Sequence, residues 1–228
     1  MHARTRLLLC SLATAALVLG CSDDEPEIDE DADRELLEDV ALTVDDLPDG
    51  FEEVEEEDED DDDDADDALS ECGDEVGLDR DEIEDNKVAE VGDEVSFVLE
   101  GDESFTRLNA SVAALRDADL ATSQIEAFED DDFFDCVTDE LEDLITGDGA
   151  VSDFTIDTIE PAVDGDAAAA LSMGLESQGI PFEMQVHMVL IDRFGFTVQV
   201  LAGPDGVDED LVEDVLDAMI DRFEDAQG

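Results

Sequence analysis

Cys21 is the residue whose neighbours most clearly predict a covalent modification, because it follows a short leader with three distinct parts. The leader begins with the basic residues Arg4 and Arg6, continues through an apolar stretch at residues 7–19, and ends at the small residue Gly20. This order is typical of a secretory signal peptide. The apolar stretch is shorter than the roughly 20 residues that a helix needs to cross a bilayer. We therefore expect residues 1–20 to be a signal peptide that is cleaved before Cys21.

The four residues that end at Cys21 resemble the lipobox of bacterial lipoproteins. Val18, Leu19 and Gly20 supply the aliphatic and small side chains of such a motif. The resemblance implies a diacylglyceryl thioether on Cys21, and two acyl chains anchor a protein stably where one does not. It predicts a lipoprotein held at the extracytoplasmic face of the cell membrane. The alternative is an ordinary signal peptide followed by an incidental cysteine.

Cys72 and Cys136 are the other residues with predictable chemistry. They are the two cysteines that remain once Cys10 leaves with the leader and Cys21 is acylated. Thiols of exported proteins meet oxidising conditions and usually pair. A catalytic thiol would need a histidine partner, and His187 is the only histidine after residue 20. The sequence therefore predicts a disulfide between Cys72 and Cys136.

Charge limits the partners of the chain. It carries 73 acidic residues against 9 basic ones, which gives a formal net charge of −64 at pH 7. Such a surface repels nucleic acid and anionic lipid, so neither is expected as an electrostatic partner. The acidity continues through the region with strand and helix patterns, where Lys87 is the only lysine. Negative charge spread in this way indicates a surface adapted to high salt.

The most acidic stretch is residues 52–67, in which 14 of 16 positions are Asp or Glu. Such a block cannot bury apolar surface, so residues 21–67 are predicted to be a largely disordered acidic tether. Four side chains match an EF-hand calcium loop: Asp60, Asp62, Asp64 and Glu71. Ala65 stands where that loop requires glycine, and any run of aspartates would match as well. A solvated linker is preferred, and no metal site is predicted.

Regular structure is predicted after this stretch, in a single domain at residues 68–228. Alternating apolar residues predict strands at residues 88–99, 105–115, 154–159, 167–175, 182–191 and 196–201. Helical spacing predicts a short helix at 35–40, a helical segment at 117–146 and an amphipathic helix at 211–223. Turns are expected at 47–50 and 192–195. These elements indicate an α+β fold in which an antiparallel sheet packs against helices.

His187 is assigned to the exposed side of its strand. The alternating residues that are predicted to face the core are Phe182, Met184, Val186, Met188 and Leu190. His187 is therefore interpreted as neither a general base nor a metal ligand. Zinc-binding histidine pairs, phosphate loops, dinucleotide-binding glycines and serine elbows do not occur in the sequence. We expect no enzyme activity and no cofactor.

Several stretches, taken in order, resemble a known group of proteins. They are LTVDDLPDGF, SFTRLNASVAALRDADLA, FFDC, VDGDAAAA and VHMVLIDRFGFTVQV. Over about residues 42–223 they resemble actinobacterial exported lipoproteins, whose domain is similar to the extracellular sensor domain of mycobacterial receptor serine/threonine kinases. Phe51 stands where that group usually has tryptophan, and this chain can form one disulfide where the sensor domain has two. The resemblance implies a sensor or ligand-binding module without catalysis, and it transfers no ligand-binding residue.

Two functions are compatible with the sequence. One is a non-catalytic module that binds an unknown envelope ligand or protein in a cleft between sheet and helices. The other is a structural or interaction lipoprotein with a salt-adapted acidic surface and no small-molecule ligand. A pocket with apolar walls and a few converging polar groups would favour the first function, and a solid core would favour the second.

Overall fold

The computed structural model describes residues 28–55, 72–73, 76, 78–92, 94–101, 104–146, 151–177 and 179–227. The predicted signal peptide, Cys21 and the candidate calcium-loop residues lie outside these ranges. Cleavage before Cys21 and its acylation therefore stay predictions.

Eight strands of the described chain form one antiparallel sheet. Their bounds are β1 Glu52–Glu55, β2 Lys87–Val91, β3 Val95–Glu100, β4 Phe105–Leu115, β5 Val151–Ile159, β6 Ala167–Ser177, β7 Ile180–Ile191 and β8 Phe194–Ala202. The order across the sheet is β1-β3-β4-β8-β7-β6-β5, and β2 also pairs with β4. The predicted hairpin turn is present between β7 and β8, where Asp192 adopts a left-handed φ of 55°.

The strand predicted at residues 88–99 is interrupted at Gly92. Both of its halves, β2 and β3, pair with β4. Gly92 has a φ of 97°, and a Cβ atom there would lie 2.3 Å from the carbonyl oxygen of Ala110. Only glycine allows this close approach without a clash. Apolar residues lie close on both sides of the break, at Val91 and Val95, which is why the sequence pattern predicts one strand.

Five helices accompany the sheet in the described residues. Their bounds are α1 Glu30–Val40, α2 Arg80–Asn86, α3 Ala118–Glu126, α4 Asp131–Thr146 and α5 Glu209–Gln227, with 3₁₀ turns at Val44–Asp46 and Ala127–Glu129. The helical segment predicted at 117–146 is therefore two helices. They are separated at Asp130, whose carboxylate accepts hydrogen bonds from the N–H groups of Asp132 and Phe133 and so begins α4. Gly147, expected to end this segment, lies outside the described residues.

The main core lies between one face of the sheet and the helices α1 and α5. Alternate residues of β4 and β8, such as Leu108 and Phe196, point to this side and are fully buried. α5 adds an apolar stripe that includes Leu216 and Phe223. Because the strands alternate between the two faces, this side collects the larger of the two buried clusters.

Residues 28–55 are folded into the domain, although the sequence predicts that the domain begins at residue 68. Leu37 and Val40 of α1 are fully buried in the main core, and Phe51 is 7% exposed. β1 pairs with β3 at the edge of the sheet, and its residues Glu52, Glu53 and Val54 are exposed. Backbone pairing at an edge tolerates acidic side chains, because these point into solvent. Residues 28–55 thus belong to the domain, and the stretch at 56–71 connects two parts of it.

The helices α3 and α4 cover the other face of the sheet at β5, β6 and β7. Ile156, Leu171 and Met173 are buried on this face. A second apolar cluster lies among the helices and contains Cys72, Leu78, Ala127, Phe133 and Val137. The result is three layers, with helices on both faces of an antiparallel sheet, and the predicted α+β class is confirmed.

The orientation predicted for β7 is wrong. His187 pairs with Val198, and Gln185 pairs with Val200, so these two polar residues share the face of the main core. They are 3% and 5% exposed. The apolar residues predicted to face the core lie on the other side, of which α3 covers part. Both faces of β7 are partly covered, so alternation alone cannot identify the main core.

Candidate functional site

The predicted disulfide is present in the structure. Cys72 and Cys136 are bonded, with a Cα–Cα distance of 5.7 Å. The bond connects the segment at residue 72 to α4 within the second apolar cluster. The disulfide is in the first half of α4, close to the beginning of the helix, where Asp131 and Phe134 border the candidate site.

A cleft of about 350 Å³ lies between the beginning of α4 and the edge of the sheet at β5 and β6. Phe128 and Phe134 form one wall. Ile159 and Pro161 border it where β5 ends, and Ala168, Ala169 and Ala170 of β6 also line it. The volume falls in the usual range for small-molecule sites, about 300 to 1,000 Å³.

The cleft exists because β5 ends before β6 does. The last recorded pair between these strands is Ile159 with Ala170, so Ala168 and Ala169 extend beyond the β5 ladder. Pro161 lies two residues beyond Ile159, and proline cannot donate a hydrogen bond to continue a ladder. Ala169, whose side chain lies on the face that α4 covers, adds only a methyl group, which leaves space between the sheet and the aromatic side chains of Phe128 and Phe134.

Two carboxylates lie among the aromatic residues. Asp130 is held by its capping bonds to α4, with N–O distances of 3.1 Å to both Asp132 and Phe133. The adjacent Asp131 is exposed at the surface. The cleft lining that the structure describes contains no Lys or Arg. An anionic ligand would therefore meet negative charge without a compensating cation.

A chain of buried polar groups lies beside the cleft, on the main-core side of β7. The N–H of Ala162 donates to Nδ1 of His187 at 3.3 Å, and Nε2 of His187 lies 3.2 Å from Oε1 of Gln185. The amide of Gln185 donates to Glu183 at 2.9 Å, and the hydroxyl of Ser172 donates to the same oxygen at 3.2 Å. Burial lowers the pKa of His187 below its usual value of 6.5.

Sequence reasoning missed the residues that form this site. The sequence predicts the helical segment at 117–146 but does not mark Phe128 and Phe134 as site residues, and it places His187 on the exposed side of its strand. The four consecutive alanines at 167–170 are the available signal, because small residues in the interior of a strand leave room for a neighbour. Within the described ranges no cluster of three or more His, Cys, Asp or Glu side chains could hold a metal ion. None of the described helices is long and apolar enough to cross a membrane.

Comparisons with known proteins give a structural likeness but no family. No protein-family model matches the sequence, and no curated protein matches it. Among solved structures, the chain is similar to the extracellular domain of PknH from Mycobacterium tuberculosis, with 13% identity, a TM-score of 0.43, and coverage of 84% of this chain and 96% of that chain. A likeness at this level assigns no ligand, partner or activity to the chain.

Proposed function

We propose that the chain is a membrane-anchored extracytoplasmic lipoprotein whose domain is a non-catalytic ligand-binding or sensing module. The cleft between α4 and the β5–β6 edge carries this proposal. It combines aromatic walls, an alanine floor and a few carboxylates, which is the composition expected of a small-molecule site.

The same lining limits the ligand. Phe128 and Phe134 favour an apolar or aromatic portion, and the carboxylates of Asp130 and Asp131 disfavour an anion. A cation over an aromatic ring gains about 0.5 to 2 kcal/mol, depending on how far it is desolvated. The ligand is therefore a neutral or cationic small molecule with an apolar body.

Anchoring through Cys21 would hold this domain close to the membrane. The described structure begins at Ile28, seven residues after Cys21. An extended chain spans at most about 3.6 Å per residue, so the connection would reach no more than about 25 Å. The acidic stretch at 56–71 does not lengthen it, because that stretch lies between β1 and Cys72. A short tether fits a module that samples ligands near the membrane surface.

The anchor is tested by replacing Cys21 with Ala. We expect the wild-type protein in the membrane fraction, with the mass of a diacylglyceryl group on its first residue, and the variant outside that fraction. An unmodified amino-terminal residue in the wild type would contradict the anchor.

The binding function is tested by native mass spectrometry of protein isolated gently from its own envelope. We expect a small molecule to remain bound to the wild type and to be absent from Ala169→Leu, whose added atoms would occupy the cleft. Ala113→Leu is the matched control, because Ala113 lies on the same face of the sheet in β4, away from the cleft. The absence of a bound molecule from the wild type, or equal retention in all three proteins, would favour a structural lipoprotein with a salt-adapted surface.

A further inference from the structure

We propose that His187 makes the cleft sensitive to pH, because protonation of its ring releases Ala162 and with it the neighbouring wall residue Pro161. The proposal rests on the binding function only for its consequence, which is ligand release in mild acid. The movement of the wall itself is a property of the chain and is measurable without a ligand.

The hydrogen bonds define the protonation state of the ring. Nδ1 accepts the Ala162 N–H, so it carries no proton in this arrangement. The Gln185 amide nitrogen donates to Glu183, which directs the Gln185 oxygen towards Nε2 of His187. Nε2 therefore carries the single proton, and the ring is neutral. A second proton on Nδ1 would place two N–H donors against each other, at His187 and Ala162.

Among the described residues, the elements packed around His187 supply no carboxylate bonded to its ring that could accept that second proton. On the neighbouring strands, the residues of this face are Ala168, Ala170 and Ser172 of β6 and Phe196, Val198 and Val200 of β8. The buried stripe of α5 is also apolar. On β7 itself, the carboxylate of Glu183 already accepts hydrogen bonds from Ser172, Gln185 and Val207.

Other carboxylates in the neighbouring segments are exposed to solvent. In the segment that follows β5, Glu160 and Asp164 are exposed, and Asp166 accepts the N–H of Asp192 at 2.7 Å. Asp157 of β5 is also exposed. The segment after β8 carries Asp205 and Asp208, which are exposed as well. Burial without a direct counter-charge disfavours the charged ring in the closed arrangement, so acid must open that arrangement.

Two contacts connect the ring to the cleft. Ala162, the partner of Nδ1, directly follows Pro161, which lines the cleft. Ala170, which pairs with His187 across β6 and β7, also lines it. Loss of the Ala162 contact therefore frees the segment that closes one end of the cleft, while the alanine floor stays fixed by the sheet.

NMR of the mature chain tests this directly, because His187 is its only histidine once residues 1–20 are removed. A titration from pH 7.5 to 5 would follow the His187 ring, the Ala162 amide and the Ala169 methyl group. We expect the three signals to change together with one midpoint below the usual 6.5, and the protection of the Ala162 amide from exchange to fall about fivefold through that midpoint, as expected for one lost hydrogen bond.

Two variants separate the proposal from a general effect of acid. His187→Asn keeps an acceptor near the position of Nδ1 but cannot titrate, so Ala162 should stay protected and the transition should disappear. His187→Phe removes the acceptor, so Ala162 should be unprotected throughout the range.

A transition that persists at Ala162 in His187→Asn would overturn the proposal, and so would titration of the ring without any change at Ala162 and Ala169. These readouts use no ligand. Empty wild-type protein in native mass spectrometry would therefore refute the binding function while leaving this coupling intact.

Discussion

Arg193, in the turn between β7 and β8, forms an ion pair with Asp33 of α1, a residue 160 positions earlier in the chain. The guanidinium also donates to the carbonyl oxygen of Leu115 at 3.3 Å and lies 4.7 Å from the centre of the Phe194 ring. Asp33 is 6% exposed. This contact fixes α1 to the sheet and shows why the domain begins well before the acidic stretch.

Asp33→Ala should destabilise the fold by about 3 kcal/mol, because it leaves the partly buried guanidinium of Arg193 without its counter-charge. Asp31→Ala is the matched control, since Asp31 lies exposed in the same helix and should change stability by no more than about 0.5 kcal/mol. Urea unfolding of the mature protein measures both. Equal effects of the two substitutions would show that the ion pair does not hold α1 in place.

Removal of the disulfide should weaken the α4 side of the molecule. Cys72 and Cys136 are 64 residues apart, and closing a loop of this length contributes about 4 kcal/mol through the entropy of the unfolded chain. The double variant Cys72→Ala and Cys136→Ala should therefore have a clearly lower free energy of unfolding. Reduced wild-type protein is the control for packing, because it keeps both sulfur atoms. A loss below about 1 kcal/mol in both samples would contradict the estimate.

Salt should stabilise the fold. The chain carries 73 acidic and 9 basic residues, so repulsion among carboxylates outweighs the attraction lost at pairs such as Arg193–Asp33. The screening length falls from about 10 Å at 0.1 M salt to about 3 Å at 1 M. We expect the melting temperature of a soluble form that begins at Ser22 to rise between 0.1 and 2 M potassium chloride. A flat melting temperature would mean that the core and the disulfide dominate and that charge serves solubility.

Asp46 should contribute to stability at neutral pH and lose that contribution in acid. Burial opposes its ionisation, but hydrogen bonds from the hydroxyl and N–H of Thr43, together with Arg222, hold the pKa of Asp46 below its usual 3.8. A lowered pKa in the folded state gives stability that is present above about pH 4 and disappears as the pH falls through the folded pKa.

Asp46→Asn should therefore cost up to about 1 kcal/mol at pH 7, and the difference from wild type should shrink towards pH 2. Asp45→Asn, at the exposed neighbouring position, is the control and should follow the wild type at every pH. A difference between Asp46→Asn and wild type that stays constant from pH 7 to pH 2 would refute the assignment.

The sequence predicts the elements that have regular apolar spacing. It identifies β4 at its observed bounds, places α5 correctly, and leaves Cys72 and Cys136 as the only intramolecular pair. It does not predict that β1 joins the sheet, because backbone hydrogen bonds hold that strand while its acidic side chains point outward.

The candidate site is less predictable for two physical reasons. The cleft depends on where the β5 ladder ends, and the pattern of apolar residues does not record the length of a pairing. His187 is buried because a chain of hydrogen bonds satisfies it on the core side of β7. The alternation of apolar residues predicts only which side chains are apolar and buried. It therefore assigns His187, a polar residue that is buried because its hydrogen bonds are made, to the wrong face of β7.

The central claim is that the cleft between α4 and the β5–β6 edge binds a small molecule, and backbone amide NMR of alanine-labelled protein tests it most directly. A small-molecule extract of the cell envelope would be added to the wild type, to Ala169→Leu and to Ala113→Leu. The account predicts saturable shifts of the Ala168 and Ala170 amide signals in the wild type and in Ala113→Leu, and no such shifts in Ala169→Leu. Unchanged Ala168 and Ala170 signals in the wild type, or shifts of equal size in Ala169→Leu, would contradict it.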